Sequence, residues 1–397
     1  MSADYTDLVR GNEMKDVRKI LFGLLRFEIC GTPITEDVKA AVNKETLTAL
    51  YKLSKMHDIA HLLADALHKN GLHEVDKETY ELFNRQHQLA VYRHEQIDYE
   101  YKRICETLEN AKIPFMPLKG SIIKEYYPEP WMRTSSDIDV LVHPEHLGAA
   151  ESVLKKALNY ERTGEFTHDI SLSSESGVHI ELHYTLIEER YYKLSARVLS
   201  GVWNFATPIK EGSSQYAMTN EMFYFYHFAH MAKHFGHCGG SGIRSVIDVY
   251  LLRKKWTFDE EKLSLLMEKG KLTTFVAVAE KLARIWFEEE AYDELSLDTE
   301  TYLLRGGVYG TFENHVTAQA EKRGKKGYIF SRIFEPYGVL VAKYPKLQKH
   351  KWLYPFYQVK RWCKYLFKRS TREHAKKEMT AINQVKTVPD LLKRLEL

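Results

Sequence analysis

Every strong strand signal in this sequence falls between about residues 113 and 184, with helix-forming sequence on either side, and that confinement limits the fold more than any other feature. Apolar residues recur at helical spacing over 17–27, over 47–67 and through the polar-rich stretch 78–108. The middle block then reads as a short buried strand at 113–118, a second at 137–142, and a hairpin of 170–172 with 178–184 around Ser176-Gly177. Helices at 120–127 and 146–158 fit between them, and the helical pattern resumes at 221–235, 243–255, 259–268 and 273–290. The expected class is α+β: a small mixed β-sheet core flanked by N-terminal and C-terminal helical regions. The expected divisions are 1–110, 111–210, 211–320 and 321–397, with Lys322 to Gly327 as an exposed linker.

Composition excludes several classes. A chain that is 44% hydrophobic and 28% charged is neither a long disordered segment nor a membrane protein. The longest apolar run, 222–231, is interrupted by His227 and His230 and falls well short of the roughly 20 residues that span a bilayer. The first residues mix both charge signs and lack the apolar centre of a secretory signal, so the expected location is cytoplasmic. Cys30, Cys105, Cys238 and Cys363 lack metal-site spacing and read as packing thiols.

The chemistry concentrates in Ser136-Asp137-Ile138-Asp139-Val140-Leu141-Val142. Two carboxylates two apart at the head of an apolar strand project from one face, and their repulsion is relieved by a hard divalent cation such as Mg²⁺ or Mn²⁺. Solvated acids at a strand start would look the same. Two neighbours sharpen the reading. Leu118-Lys119-Gly120-Ser121 lies at a strand-to-helix turn suited to a phosphate, though it also fits an ordinary helix cap. In Val178-His179-Ile180-Glu181-Leu182-His183, alternation puts His179, Glu181 and His183 on the face opposite Ile180 and Leu182. If the two strands adjoin, three carboxylates converge, enough to hold two metal ions for in-line phosphoryl chemistry.

These residues, with Tyr127-Pro128 to Arg133, resemble the uncharacterised bacterial nucleotidyltransferases of the polymerase β superfamily, and the resemblance continues through 228–248 and 344–361. It implies Asp137, Asp139 and Glu181 as catalytic and metal-holding acids. It also implies Gly120 and Ser121 at the nucleotide phosphates, with Lys119 and Arg133 steadying phosphate charge. The implied reaction moves a nucleoside monophosphate from an NTP to an acceptor hydroxyl and releases pyrophosphate; the acceptor is a small molecule, sugar, RNA or protein. A catalytically inactive nucleotide-binding or interaction module of the same fold is the alternative. The 15 residues between Ser121 and Asp137 exceed the usual interval in the superfamily, and the Tyr-Pro-Glu-Pro turn is where the extra length fits.

Three further features are open. His227, His230 and His234 share one helical face, where they either line a substrate cleft or pack in the core. Arg244 and Asp248, four apart, make either an ordinary surface or interhelical ion pair or, through Arg244, a contact to the triphosphate. From Lys343 to Arg372 there are ten Lys or Arg and no Asp or Glu, interleaved with aromatics. That segment either docks its rings on the helical domain, contacts RNA, or makes a peripheral contact with an anionic membrane.

Overall fold

The computed structural model describes residues 12–189, 192–308, 310, 316, 325–344, 346–367 and 387–397. Five helices open the chain: α1 Asn12–Cys30, α2 Glu36–Ala41, α3 Lys44–Met56, α4 Ala60–Lys69 and α5 Lys77–Asn110. Asn43 starts α3 with a reciprocal capping box to Thr46. The continuous helix expected over 47–67 is in fact two. His57 ends α3, Asp58 takes a left-handed φ of 52°, and the Ile59 N–H returns to the Ser54 carbonyl. With no glycine at that corner, sequence offered no stop signal.

The sheet follows: β1 Phe115–Pro117, β2 Asp137–Val142, β3 Glu161–Glu165, β4 Asp169–Ser173 and β5 His179–His183, in spatial order β1-β2-β5-β4-β3. Only β2 and β5 run parallel; the other pairs are antiparallel, so the sheet is mixed as expected. Between β1 and β2, α6 is a single turn, Gly120–Ile123, giving way to a 3-10 turn at Lys124–Tyr126 where a helix to residue 127 was expected. Helix α7, Leu147–Leu158, backs the sheet together with α5. Sequence alone did not reveal β3, an exposed edge strand without apolar alternation. Nor did it reveal the three-residue hairpin of β6, Ala206–Pro208, and β7, Tyr216–Met218.

After α8, Lys193–Leu199, the second helical set comprises α9 Asn220–Lys233, α10 Arg244–Lys255, α11 Glu260–Gly270, α12 Thr273–Glu288 and α13 Glu294–Gly306. Two cores result. The larger joins α1, α3 and α4 to α9–α13 and takes in Leu391, Leu392 and Leu395 near the chain end. The smaller lies between one sheet face, with Ile138, Val140, Ile180 and Leu182, and α5 and α7, through Ile104, Leu108, Ala150 and Leu154. Helix α5, about 50 Å long at 1.5 Å per residue, belongs to both, with Phe83 in the larger core and Ile104 in the smaller.

Beyond residue 324 come α14 Lys325–Ile333, α15 Tyr337–Lys343, α16 Lys346–Lys349, α17 Tyr354–Phe367 and α18 Thr387–Arg394. Of the expected linker, residues 322–324 lie outside the described residues and 325–327 open α14. The basic stretch is likewise described only to residue 367. Two of the cysteines are not packing residues: Cys30, at the last position of α1, and Cys363, on the outer face of α17, are exposed. No helix of the described residues is long and apolar enough to cross a membrane.

Candidate active site

The sheet supplies the acids. With Ile138 and Val140 directed into the smaller core, the period of two puts Asp137 and Asp139 on the opposite face. The parallel register sets Asp139 beside Glu181 and Leu141 beside His183, so the two strands adjoin and their polar positions meet. His183 Nε2 donates to Asp139 Oδ1 at 2.7 Å and stands 3.4 Å from Glu181 Oε2. Asp139, Glu181 and His183 offer ligand atoms within 4.8 Å of one another, as do His168, Asp169 and His183. His183, His168 and Asp169 were not singled out by sequence, although the alternation through 179–183 had already put His183 on the Glu181 face.

Lys119 reaches the same carboxylate. The Leu118 carbonyl accepts from the Ser121 N–H at 3.2 Å, closing a tight turn in which Lys119 holds φ 43° and ψ −117°. Such a backbone costs a residue with a Cβ about 1–3 kcal/mol. The strain is offset where Lys119 Nζ meets Asp139 Oδ1 at 2.7 Å. Gly120 follows because space is short: a Cβ there would stand 3.2 Å from Ser135 Oγ. Ser121 turns away and lines a small separate pocket against α5.

Charge divides the acids. Burial and the neighbouring Asp139 raise the pKa of Asp137. Burial works the same way on Asp139, but Lys119 and His183 outweigh it and hold that carboxyl well below the usual range. Glu181 is lowered by its hydrogen bond with His183. The site thus carries three carboxylates against one ammonium and one imidazole.

The facing wall comes from α9, α10 and the segment before β2. Together the walls enclose a cleft of about 360 Å³ lined by Lys119, Gly120, Asp137, Asp139, Glu181, Arg133, His230, His234 and Arg244, among others. Arg133 is fully committed: Nε and Nη2 grip the buried Asp248 carboxylate at 2.8 and 2.9 Å, Tyr127 Oη donates to the same group at 2.7 Å, and Nη1 donates to the Thr134 carbonyl. The Arg244–Asp248 pair suggested by spacing does not form. Arg244 uses Nη1 alone, on Asp58 Oδ2, the Thr134 carbonyl and Thr134 Oγ1, at 2.9 to 3.0 Å. Burial and the nearby Arg133 lower its pKa.

His230 and His234 line the cleft with Nε2 atoms 3.2 Å apart. Burial, helped by Lys119, drives His230 well below its ordinary value and His234 to about 4, so both are neutral near pH 7. His227 donates toward the Ser245 carbonyl. Both groups of three close ligand-type side chains among the described residues lie on the sheet or, for His168, in the bend that leads into β4, and neither includes a histidine of α9.

A family model described as uncharacterised nucleotidyltransferase matches residues 43–288, well over half the chain. The chain belongs to that family. The matched span runs from the N-cap of α3 through the end of α12, so it takes in both walls of the cleft and the corner at His57 that supports them. It ends before the basic segment, leaving the similarity read at 344–361 outside the family match. No curated protein matches the chain.

Proposed function

We propose that this protein transfers a nucleoside monophosphate from an NTP to an acceptor hydroxyl, and that Asp137, Asp139 and Glu181 hold Mg²⁺ or Mn²⁺ for the reaction. The observation that carries the reading is the parallel β2/β5 register, which sets Asp139 against Glu181 at the floor of a cleft with basic side chains on its walls. The donor set suits a hard cation: oxygen ligands predominate, and the three carboxylates face only the Lys119 ammonium and the His183 imidazole. Bound there, the cation would supply charge neutralisation for the triphosphate and acidify the acceptor hydroxyl.

The chain's own groups do the rest. Arg244, with Nε and Nη2 uncommitted among the described residues, and Lys119 are the cations available to phosphate oxygens. Arg133 instead fixes the wall. Glu181, partly exposed to the cleft, accepts the proton of the attacking hydroxyl; the acceptor oxygen bonds to the α-phosphorus, the bond to the β-phosphate oxygen breaks, and pyrophosphate leaves. Neutral His230 and His234 present hydrogen-bonding edges to a base or acceptor without adding charge.

Calorimetric titration of each NTP with and without Mg²⁺ tests this, using the wild type and an Asp137→Asn/Asp139→Asn variant. Metal-dependent binding that the variant lacks is the expected result and names the donor. NTP binding equal in both proteins, or absent under every condition, would overturn it.

A further inference from the structure

Helix α17 is turned inside out. Its polar side faces the protein: Gln358 and Arg361 are buried, Gln358 Nε2 and Tyr354 Oη both donate to the Glu335 carbonyl at 2.7 and 2.8 Å, and Arg361 Nη2 donates to the Ile333 carbonyl at 2.6 Å. Arg361 also lies 3.6 Å from the buried Glu335 carboxylate. The apolar side faces out. Trp352, just ahead of the helix, is 67% exposed, and Phe356 and Val359 are 63% and 51% exposed. Cys363 completes the row at helical spacing. Phe330 and Ile333 on α14, and Phe334 just past its end, are exposed as well. A soluble helix normally does the reverse, burying its apolar stripe and solvating its polar one.

Charge identifies what covers the stripe. Between Glu335 and Glu373 there is no acidic residue and there are ten Lys or Arg. Lys351, Lys360 and Lys364 are exposed close to the row, and Lys346 and Lys349 are exposed on the preceding turn. An apolar row flanked by lysines is the pattern of a helix lying in the headgroup region of a bilayer, where rings and aliphatic groups enter the acyl boundary and ammonium groups meet anionic headgroups. A second copy of the chain would set this uniformly basic face against another like it. Single-stranded RNA stacks on a succession of rings, yet only Trp352 and Phe356 in the row carry them, Val359 and Cys363 stack nothing, and Tyr344 and Tyr357 are stacked on each other at 4.4 Å under Lys360.

We propose that the α14–α17 segment is a peripheral docking surface for an anionic lipid bilayer, entered by Trp352, Phe356, Val359 and Cys363. This stands independently of the catalytic reading. The test uses the full chain in a Cys30→Ser background, with an environment-sensitive fluorophore on Cys363, and vesicles of phosphatidylcholine with and without phosphatidylglycerol. Expected are co-sedimentation and a blue shift with the anionic vesicles alone. Trp352→Glu/Phe356→Glu abolishes both, and Lys360→Glu/Lys364→Glu lowers partitioning by about tenfold or more. All four side chains are solvent-facing, so the variants fold. Failure to sediment with anionic vesicles, or sedimentation unaffected by Trp352→Glu/Phe356→Glu, would overturn the proposal. So would either of two results in place of vesicle binding: a concentration-dependent dimer in sedimentation velocity, or a shift of a single-stranded RNA probe, each abolished by that variant.

Discussion

The two walls of the cleft are built by different rules. The sheet wall sets Asp137, Asp139, Glu181 and His183 by the pleat and one parallel register, so neighbours in space are neighbours in strand geometry. The helical wall is assembled across the chain: Arg133 meets Asp248 from 115 residues away, and Arg244 meets Asp58 from 186 away. On the sheet, like charges are held together and remain partly uncompensated; on the helices, almost every charge is neutralised, buried or both. One wall gathers like charge and the other balances it, which gives them different vulnerabilities.

Removing the Asp248 carboxylate is the strongest way to break the helical wall. Asp248→Ala strands a buried guanidinium and the Tyr127 hydroxyl, and unfolding in urea is expected to show a loss of about 3–5 kcal/mol. Arg133→Ala is expected to cost a similar amount, and the double variant much less than the sum. A loss below about 1 kcal/mol in Asp248→Ala would mean that the pair does not hold the wall.

The corner beneath that wall is sensitive to acid. Fully buried His57 donates from Nε2 to the Leu304 carbonyl at 3.1 Å while its Nδ1 accepts from the Ile243 N–H, so both ring nitrogens are occupied in the neutral form. Burial lowers its pKa to about 4. Below about pH 6.5 the unfolded chain takes up a proton that the folded one refuses; stability is therefore full above that pH and falls as pH drops toward 4. Calorimetry at pH 7.5 and pH 5 is expected to show about 1–2 kcal/mol more loss for the wild type than for His57→Gln. Equal losses would remove His57 as the cause.

The smallest effect separates binding from scaffolding on the helical wall itself. Arg244→Ala gives up an ion pair with half-exposed Asp58, so stability changes little, while NTP affinity falls about tenfold in the titration used for the acids. Unchanged affinity alongside a large loss of stability would class Arg244 with Arg133.

The same contrast explains what sequence could reveal. β2 and β5 were legible because a period of two and an apolar run determine which side chains share a face, and Asp139 against Glu181 then required only that the strands adjoin. His183 was visible on that face but went unremarked, since its role depends on a hydrogen bond to Asp139. The helical wall was legible only in part: His230, His234 and Arg244 were read as candidates for a cleft and do line it, but the contacts that hold the wall together were not read. Spacing paired Arg244 with Asp248, but an i,i+4 surface pair offers only a few tenths of a kcal/mol, less than the buried bidentate contact with Arg133. The corner at Asp58 carries no glycine, β3 carries no alternation, and Lys119 occupies a backbone conformation that its residue type gives no reason to expect.

Helix α5 gives the cleft a mechanical character. One unbroken rod is packed into both cores, with its first half under α3 and α4 and its last turns under the sheet. A rod shared in this way cannot act as a hinge, and the two walls cannot swing apart as separate lobes without peeling α5 from one of its beds. The aperture is therefore set by the scaffold, and a substrate must fit a gap whose width the bedding of α5 in both cores fixes.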